Sequence, residues 1–245
     1  MHSDVRAPSW LPRPFRPAPS VLREARAFTR QRFGARLEEA LELPGWLHPD
    51  QAAMLCWCAS KAPQGPLIEL GSFKGKSAVF IAAGMREGST LHAVDPHTLP
   101  LFGSRDDLAG AGRSEQEADA GHSWPVFLDT IEKWGLKGKV VPEREMSHDF
   151  RAHWSEPASF IWIDADHTYG AVKKDIEDWA DMVKPGGYLG FHDTHERRGP
   201  DPHQKHLPGG ERNVYDAIVD SGLPEKRGFE TTLRLRNAWF MRRNG

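Results

Sequence analysis

Short apolar runs closed by glycine or an acid alternate along this chain with longer stretches whose apolar residues recur every three or four positions. Leu67, Ile68 and Leu70 lie between Pro66 and Gly71, which suits a strand buried on both faces, and from Lys76 to Arg86 the pattern turns helical. Thr90 to Asp95 predicts a second strand, Trp124 to Trp134 a helix, Lys139 to Pro142 a third strand and Phe160 to Ile163 a fourth. Gly170 to Val183 has the clearest helical period: Val172, Ile176, Trp179 and Val183 form one stripe, and charged residues from Lys173 to Asp181 form a solvated opposite face. Lys184-Pro185-Gly186-Gly187 is read as its stop, with Tyr188 to Phe191 entering a fifth strand. Arg212 to Ser221 predicts a helix, and Phe229 to Leu235 with Ala238 to Arg242 a closing antiparallel hairpin. Ahead of the first strand, one helix is expected from Ser20 toward Leu43 and another over Pro49 to Lys61. Alternation of this kind predicts an α/β fold with a mostly parallel sheet and helices on both faces.

Three stretches break the pattern. The first twenty residues hold Pro8, Pro12, Pro14, Pro17 and Pro19, so they read as an extended arm. Its Trp10, Leu11 and Phe15 either dock on the body or a second subunit, or belong to a free terminus. Residues 97–123 and 194–210 have no period and read as two loops over a pocket; His195, His203 and His206 in the second are solvated or substrate-facing rather than regularly spaced metal ligands. The resulting division is an arm (1–20), N-terminal helices (21–62) and one α/β domain (63–245).

Composition narrows the function classes. A formal net charge of -2 gives no basic footprint for nucleic acid, and 39% hydrophobic residues suffice for a large core. Cys56 and Cys58 sit two apart on a predicted helix and point to different faces, so neither a disulfide nor a structural zinc site is expected. No stretch suits a membrane span or a signal peptide, and the expected setting is cytoplasmic.

The glycine turn between the first strand and its helix is the place for a cofactor, because ligands of open α/β sheets bind beyond the carboxyl ends of the strands. Its spacing departs from two nucleotide motifs. Phe73 and Lys76 stand where a dinucleotide fingerprint needs glycines, and Gly71 to Gly75 is one residue short of a phosphate loop before Lys76-Ser77. Glu69 at the mouth of the turn would repel a triphosphate but can pair with a cation on a ligand, and S-adenosylmethionine carries an ammonium and a sulfonium. Asp95, ending the second strand, is suited to accept both hydroxyls of a ribose; a plain turn aspartate is the competing account.

Glu69-Leu-Gly-Ser-Phe-Lys-Gly75 resembles the first motif of class I S-adenosylmethionine-dependent methyltransferases, and Val94-Asp95-Pro96-His97 the acidic end of their second strand. Ile163-Asp-Ala-Asp-His-Thr-Tyr169 and Lys184-Pro-Gly-Gly-Tyr-Leu-Gly-Phe-His-Asp193 resemble the small-molecule O-methyltransferase branch that includes macrocin-type and cephalosporin-hydroxylase-like proteins. The resemblance implies a Rossmann-like seven-stranded sheet with an antiparallel last strand, and S-adenosylmethionine held by Glu69, Gly71, Ser72, Gly75, Asp95, Ser147 and Asp164. For Ser147 and His148, an adenine contact and a simple helix cap are both open. Oligomerisation through the arm and N-terminal helices is a further expectation, and the methyl acceptor would be a small molecule.

Asp164 and Asp193 end two strands that would be neighbours, so their carboxylates converge on a hard-cation site, Mg²⁺ by preference. The related enzymes carry an acidic or Asp-Asn pair where this chain has His192-Asp193, which leaves the role of His192 open as a third ligand. His167, three residues after Asp164, stands at the offset of the basic residue in those enzymes and is the expected general base, neutral often enough near pH 7. His167 as a helix cap, or Asp166 as the base, are the alternatives. Two other functions fit parts of the pattern: a nucleotide phosphotransferase, disfavoured by the short glycine loop, and a cofactor-binding module without catalysis.

Overall fold

The computed structural model of the chain describes residues 19–98, 123–194, 198–200, 211–235 and 237–245. Nearly all of the proline-rich arm, most of the 97–123 loop and most of the 194–210 loop, with its three histidines, lie outside the described residues.

Helix α1 (Ser20–Phe33) is followed by a 3-10 turn at Gly34–Arg36 and a short α2 (Leu37–Leu41), so the single helix expected from Ser20 toward Leu43 is broken. Gly34 is the reason: it takes φ +54°, a left-handed conformation that ends a helix and that glycine adopts without strain. Helix α3 (Pro49–Lys61) matches its predicted bounds. Its start is a reciprocal cap: the His48 ring accepts from the Asp50 N–H, and the His48 N–H donates to Gln51 Oε1 at 2.8 Å.

The sheet comprises β1 (Leu67–Leu70), β2 (Leu91–Val94), β3 (Val140–Glu143), β4 (Ala158–Ile163), β5 (Val183–His192), β6 (Phe229–Leu235) and β7 (Ala238–Arg243). They lie in the order β3-β2-β1-β4-β5-β7-β6, parallel except for β7, which runs antiparallel to both β5 and β6. Between them run α4 (Lys76–Gly84), α5 (Ser123–Lys133), α6 (Ser147–His153), α7 (Tyr169–Trp179) and α8 (Val214–Asp220). The fold is the seven-stranded, mostly parallel Rossmann-like sheet, with additional N-terminal helices.

Strand periodicity sorts the core into two layers. Leu67, Leu91, Phe160, Trp162 and Phe240 face α1, α3, α4 and α5, while Ile68, Ile161, Leu189 and Met241 face α6, α7 and α8. Both faces are covered, which is why β1 and β4 are almost wholly apolar, Glu69 and Ser159 excepted. The N-terminal helices share the first layer: Leu22, Ala25 and Phe33 pack in the same cluster as Phe80 and Trp162.

Helix α7 stops at Trp179 rather than Val183, and a 3-10 turn (Ala180–Met182) leads directly into β5. Val183 pairs with Ala158, and the register then jumps to Phe160 opposite Tyr188, so Lys184 to Gly187 form a bulge inside β5 instead of a helix stop. The helical period through Val183 is overridden because that side chain fills the second core layer equally well from a strand.

Candidate active site

Strand order sets the site. The chain leaves β1 toward β2 on one side, and β4 pairs on the other, so the carboxyl ends of β1 and β4 flank a crevice of the kind that takes ligands in open α/β sheets. Glu69 points into the first core layer between Ala93 and Trp162 and is fully buried. Neither of its carboxylate oxygens, nor the buried Ser72 hydroxyl, has a hydrogen-bond partner among the described residues. Burial drives the Glu69 pKa up to about 8; Asp164 and Asp95 push the same way, and the nearby Ser77 hydroxyl works against them. An unpartnered carboxylate here is a standing cost that a cationic ligand group would remove.

Gly71 has φ +88°, and a Cβ added to it would lie 2.2 Å from the Asp164 carbonyl oxygen and 2.8 Å from Ala165 Cα. The close approach that demands glycine is therefore made by the β4 end of this chain, in addition to whatever approach a ligand makes. Asp95 ties two turns together: Oδ2 accepts from the Phe73 N–H at 2.8 Å and Oδ1 from the His97 N–H at 2.7 Å. Phe73 and His97 both have positive φ, at 45° and 51°, and Asp193 at 46° completes the set of non-glycine residues so disposed among those described. All three follow strands at the carboxyl edge, where backbone strain concentrates around functional sites. Trp46, half exposed, stacks on Phe73 at 5.2 Å, and Lys76 Nζ donates to the Gly45 carbonyl, so the α2–α3 connection lies against the glycine turn.

Adjacent β4 and β5 bring the second cluster together. His192 Nδ1 is 2.9 Å from Asp164 Oδ1, His167 Nε2 is 3.1 Å from the same oxygen, and His167 Nδ1 is 3.2 Å from Asp193 Oδ2. Ligand atoms of Asp164, His167 and His192 lie within 4.8 Å of one another. The His192 approach to Asp164 is short, yet neither His192 ring nitrogen makes an aligned hydrogen bond, and the ring is buried. A buried His192 ring that reaches Asp164 without an aligned hydrogen bond suits a shared third body, and carboxylates with imidazoles are a donor set for a divalent metal ion.

Charge in this cluster is balanced internally. Burial alone would lower the His167 pKa, but hydrogen bonds to Asp164 and Asp193 and their charges raise it well above the usual histidine range. The same competition raises His192, chiefly through the charge of Asp164, and holds Asp164 and Asp193 below the ordinary carboxylate range against burial that would raise them. Without a cation, the two flanking carboxylates favour the protonated His167 ring over the neutral imidazole that a general base requires.

Glu69, Gly71, Ser72, Gly75 and Asp95 gather at the β1–β2 end, and Asp164, His167, His192 and Asp193 at the β4–β5 end, with Gly71 in contact with Asp164. Ser147 opens α6 and donates its hydroxyl to Asp175 on α7 at 2.6 Å; burial raises the Asp175 pKa to about 6. Four contributors escaped the sequence reading. Trp46 and Phe73 carried no signal, because stacking between a loop and a turn has no periodicity. Gln51 was visible as a capping residue after His48-Pro49, but its Nε2 also donates to Asn237 Oδ1 at 2.9 Å, across 186 residues. Asn237, at the β6–β7 turn, in turn faces Asp193 and helps hold it ionised.

Comparison with known proteins agrees with this geometry. The solved O-methyltransferase NovP superposes with a TM-score of 0.64 at 12% identity, covering 90% of this chain and all of NovP. An O-methyltransferase from Bacillus cereus in complex with SAH gives 0.52 at 20% identity over 93% of this chain and 92% of its own. TomG from Streptomyces achromogenes, an O-methyltransferase of tomaymycin synthesis solved with SAM, gives 0.52 at 13% identity over 94% and 92%. A family model described as a methyltransferase domain matches residues 68–194, just over half of the 245 residues and the span that holds every site residue named from the sequence. From Glu69 at one end of that span to Asp193 at the other, on a class I sheet, the chain belongs to the methyltransferase-domain family.

Proposed function

We propose that the protein is an S-adenosylmethionine-dependent O-methyltransferase that acts on a hydroxyl of a small molecule and uses a divalent cation. The observation that carries the cofactor is Glu69: a fully buried carboxylate at the glycine turn with no aligned hydrogen-bond partner among the described residues, complementary to a cationic ligand and hostile to a polyphosphate. Gly71, Ser72 and Gly75 shape the turn, and Asp95 offers its remaining lone pairs to ribose hydroxyls. Bound there, S-adenosylmethionine supplies a methyl group on an electron-poor sulfur.

Asp164, His192 and Asp193 would hold the cation, whose chemistry is to lower the pKa of a ligated hydroxyl and neutralise nearby charge. Imidazole among the donors favours Mn²⁺ or a similar borderline ion over the Mg²⁺ expected from carboxylates alone. His167, between the two carboxylates, is the group placed to take the acceptor proton, once positive charge elsewhere offsets Asp164 and Asp193 and lets the ring become neutral. Support for the hydroxyl acceptor comes from NovP, TomG and the Bacillus cereus protein, each named as an O-methyltransferase.

Calorimetry with S-adenosylhomocysteine, NAD and ATP tests the cofactor; binding of ATP or NAD in preference to S-adenosylhomocysteine would reject the reading. Turnover with and without excess chelator, across a panel of hydroxylated acceptors, tests the cation. Loss of activity on chelation with recovery on added Mn²⁺ is the expected result, and full activity in chelator rejects the cation.

A further inference from the structure

The N-terminal helices and the end of β5 are joined by two amide side chains whose orientation is dictated from one end. The His48 backbone N–H, fixed by the start of α3, donates to Gln51 Oε1 at 2.8 Å. A carboxamide has one oxygen and one NH₂, so with its oxygen committed to that donor, Gln51 must present Nε2 on its other side. Nε2 donates to Asn237 Oδ1 at 2.9 Å, and to the Asn237 carbonyl at 3.4 Å. With its own oxygen taken in turn, Asn237 must turn its NH₂ away from Gln51. The β5–β7 ladder ends with His192 opposite Ala238, which makes Asp193 and Asn237 the next facing positions across the two strands. Gln51 is 1% exposed, so no water competes for these bonds.

We infer that Gln51 and Asn237 are an orientation relay that aims an amide N–H at Asp193 and positions its carboxylate, making the N-terminal helices a working part of the active site. The inference rests on the reading of Asp193 as a member of the catalytic cluster. Both residues are positioning residues, acting through Asp193 without touching the acceptor. Asp193 has a left-handed φ of 46° and a side chain still 40% exposed; His167 and His192 reach its carboxylate from one side, and Asn237 faces it from the neighbouring strand. Residues that orient a metal ligand typically alter metal affinity 10- to 100-fold when changed.

Gln51→Glu isolates the relay. The new carboxylate still accepts from His48 N–H, as glutamate does in a capping box, but it has no NH₂ for Asn237. The Asn237 amide is then drawn to flip its NH₂ toward position 51 and its oxygen toward Asp193. Titration of the full chain with Mn²⁺ is expected to show affinity reduced about 10- to 100-fold in both Gln51→Glu and Asn237→Ala, with S-adenosylhomocysteine affinity and unfolding midpoint near those of the parent. Unchanged Mn²⁺ affinity in Gln51→Glu, or an equal loss of S-adenosylhomocysteine affinity, overturns the relay. If the parent chain binds no Mn²⁺, the cation reading fails separately. The relay is then judged by the Asn237 side-chain amide signal in ¹⁵N spectra, which must move on both Asp193→Ala and Gln51→Glu; a signal indifferent to either change overturns it.

Discussion

Replacing Glu69 with glutamine tests the central electrostatic claim. Glu69 has an ordinary pKa of 4.5 when unfolded and about 8 when folded without ligand. Below pH 4.5 it is protonated in both states. Between 4.5 and 8 the folded chain retains a proton that the unfolded chain has lost, so stability falls as pH rises through that window, and above about pH 8 the loss is complete. At about 1.4 kcal/mol per pH unit the full loss is on the order of 5 kcal/mol. Glu69→Gln removes this titration while keeping the shape. Its buried amide adds a constant offset, so the slope with pH is diagnostic and the offset is not. For a chain of this length each kcal/mol moves Tm by about 2–4 °C, so the variant should gain on the parent by on the order of 10 °C between pH 5 and pH 8.5 in ligand-free thermal melts. The variant should also bind S-adenosylhomocysteine more weakly, because the ammonium loses its anion. In the parent, binding near pH 7 should release a proton, seen as a dependence of calorimetric heat on buffer ionisation enthalpy and absent from the variant. Parallel melting curves for the two proteins across this pH range would refute the assignment of a raised, unpartnered Glu69.

Asp95→Ala should weaken S-adenosylhomocysteine by about 1.5–3 kcal/mol by calorimetry and speed amide exchange at Phe73 and His97, whose N–H groups lose their acceptor. Gly71→Ala should lower stability by at least about 3 kcal/mol in urea titration, since its Cβ would meet the immovable backbone of Asp164 and its φ is left-handed. His167→Ala should lower kcat roughly 10²- to 10⁴-fold in a steady-state methylation assay, with S-adenosylhomocysteine affinity retained; near-parental kcat from pH 6 to 9 would make His167 structural.

Local pattern was enough for the order of strands and helices, the glycine turn and the acids that end β1, β2, β4 and β5, because these are encoded in periods of two and 3.6 and in residues that terminate them. Helix α3 has the bounds expected of it, Pro49–Lys61. Where two periods fit equally, as at Val183, or a glycine interrupts an otherwise helical stretch, as at Gly34, pairing and packing made the choice. The site needed more than pattern. Asp164 and His192 are 28 residues apart and meet only because β4 and β5 are neighbours in the sheet. The neighbour that forces glycine at position 71 is the Asp164 backbone, and the protonation of His167 depends on Asp193 reaching its far nitrogen. Gln51 and Asn237 show the limit most clearly: the capping role is written in four consecutive residues, while the bond across 186 residues exists only because β7 returns antiparallel beside β5 and carries its turn to the start of α3.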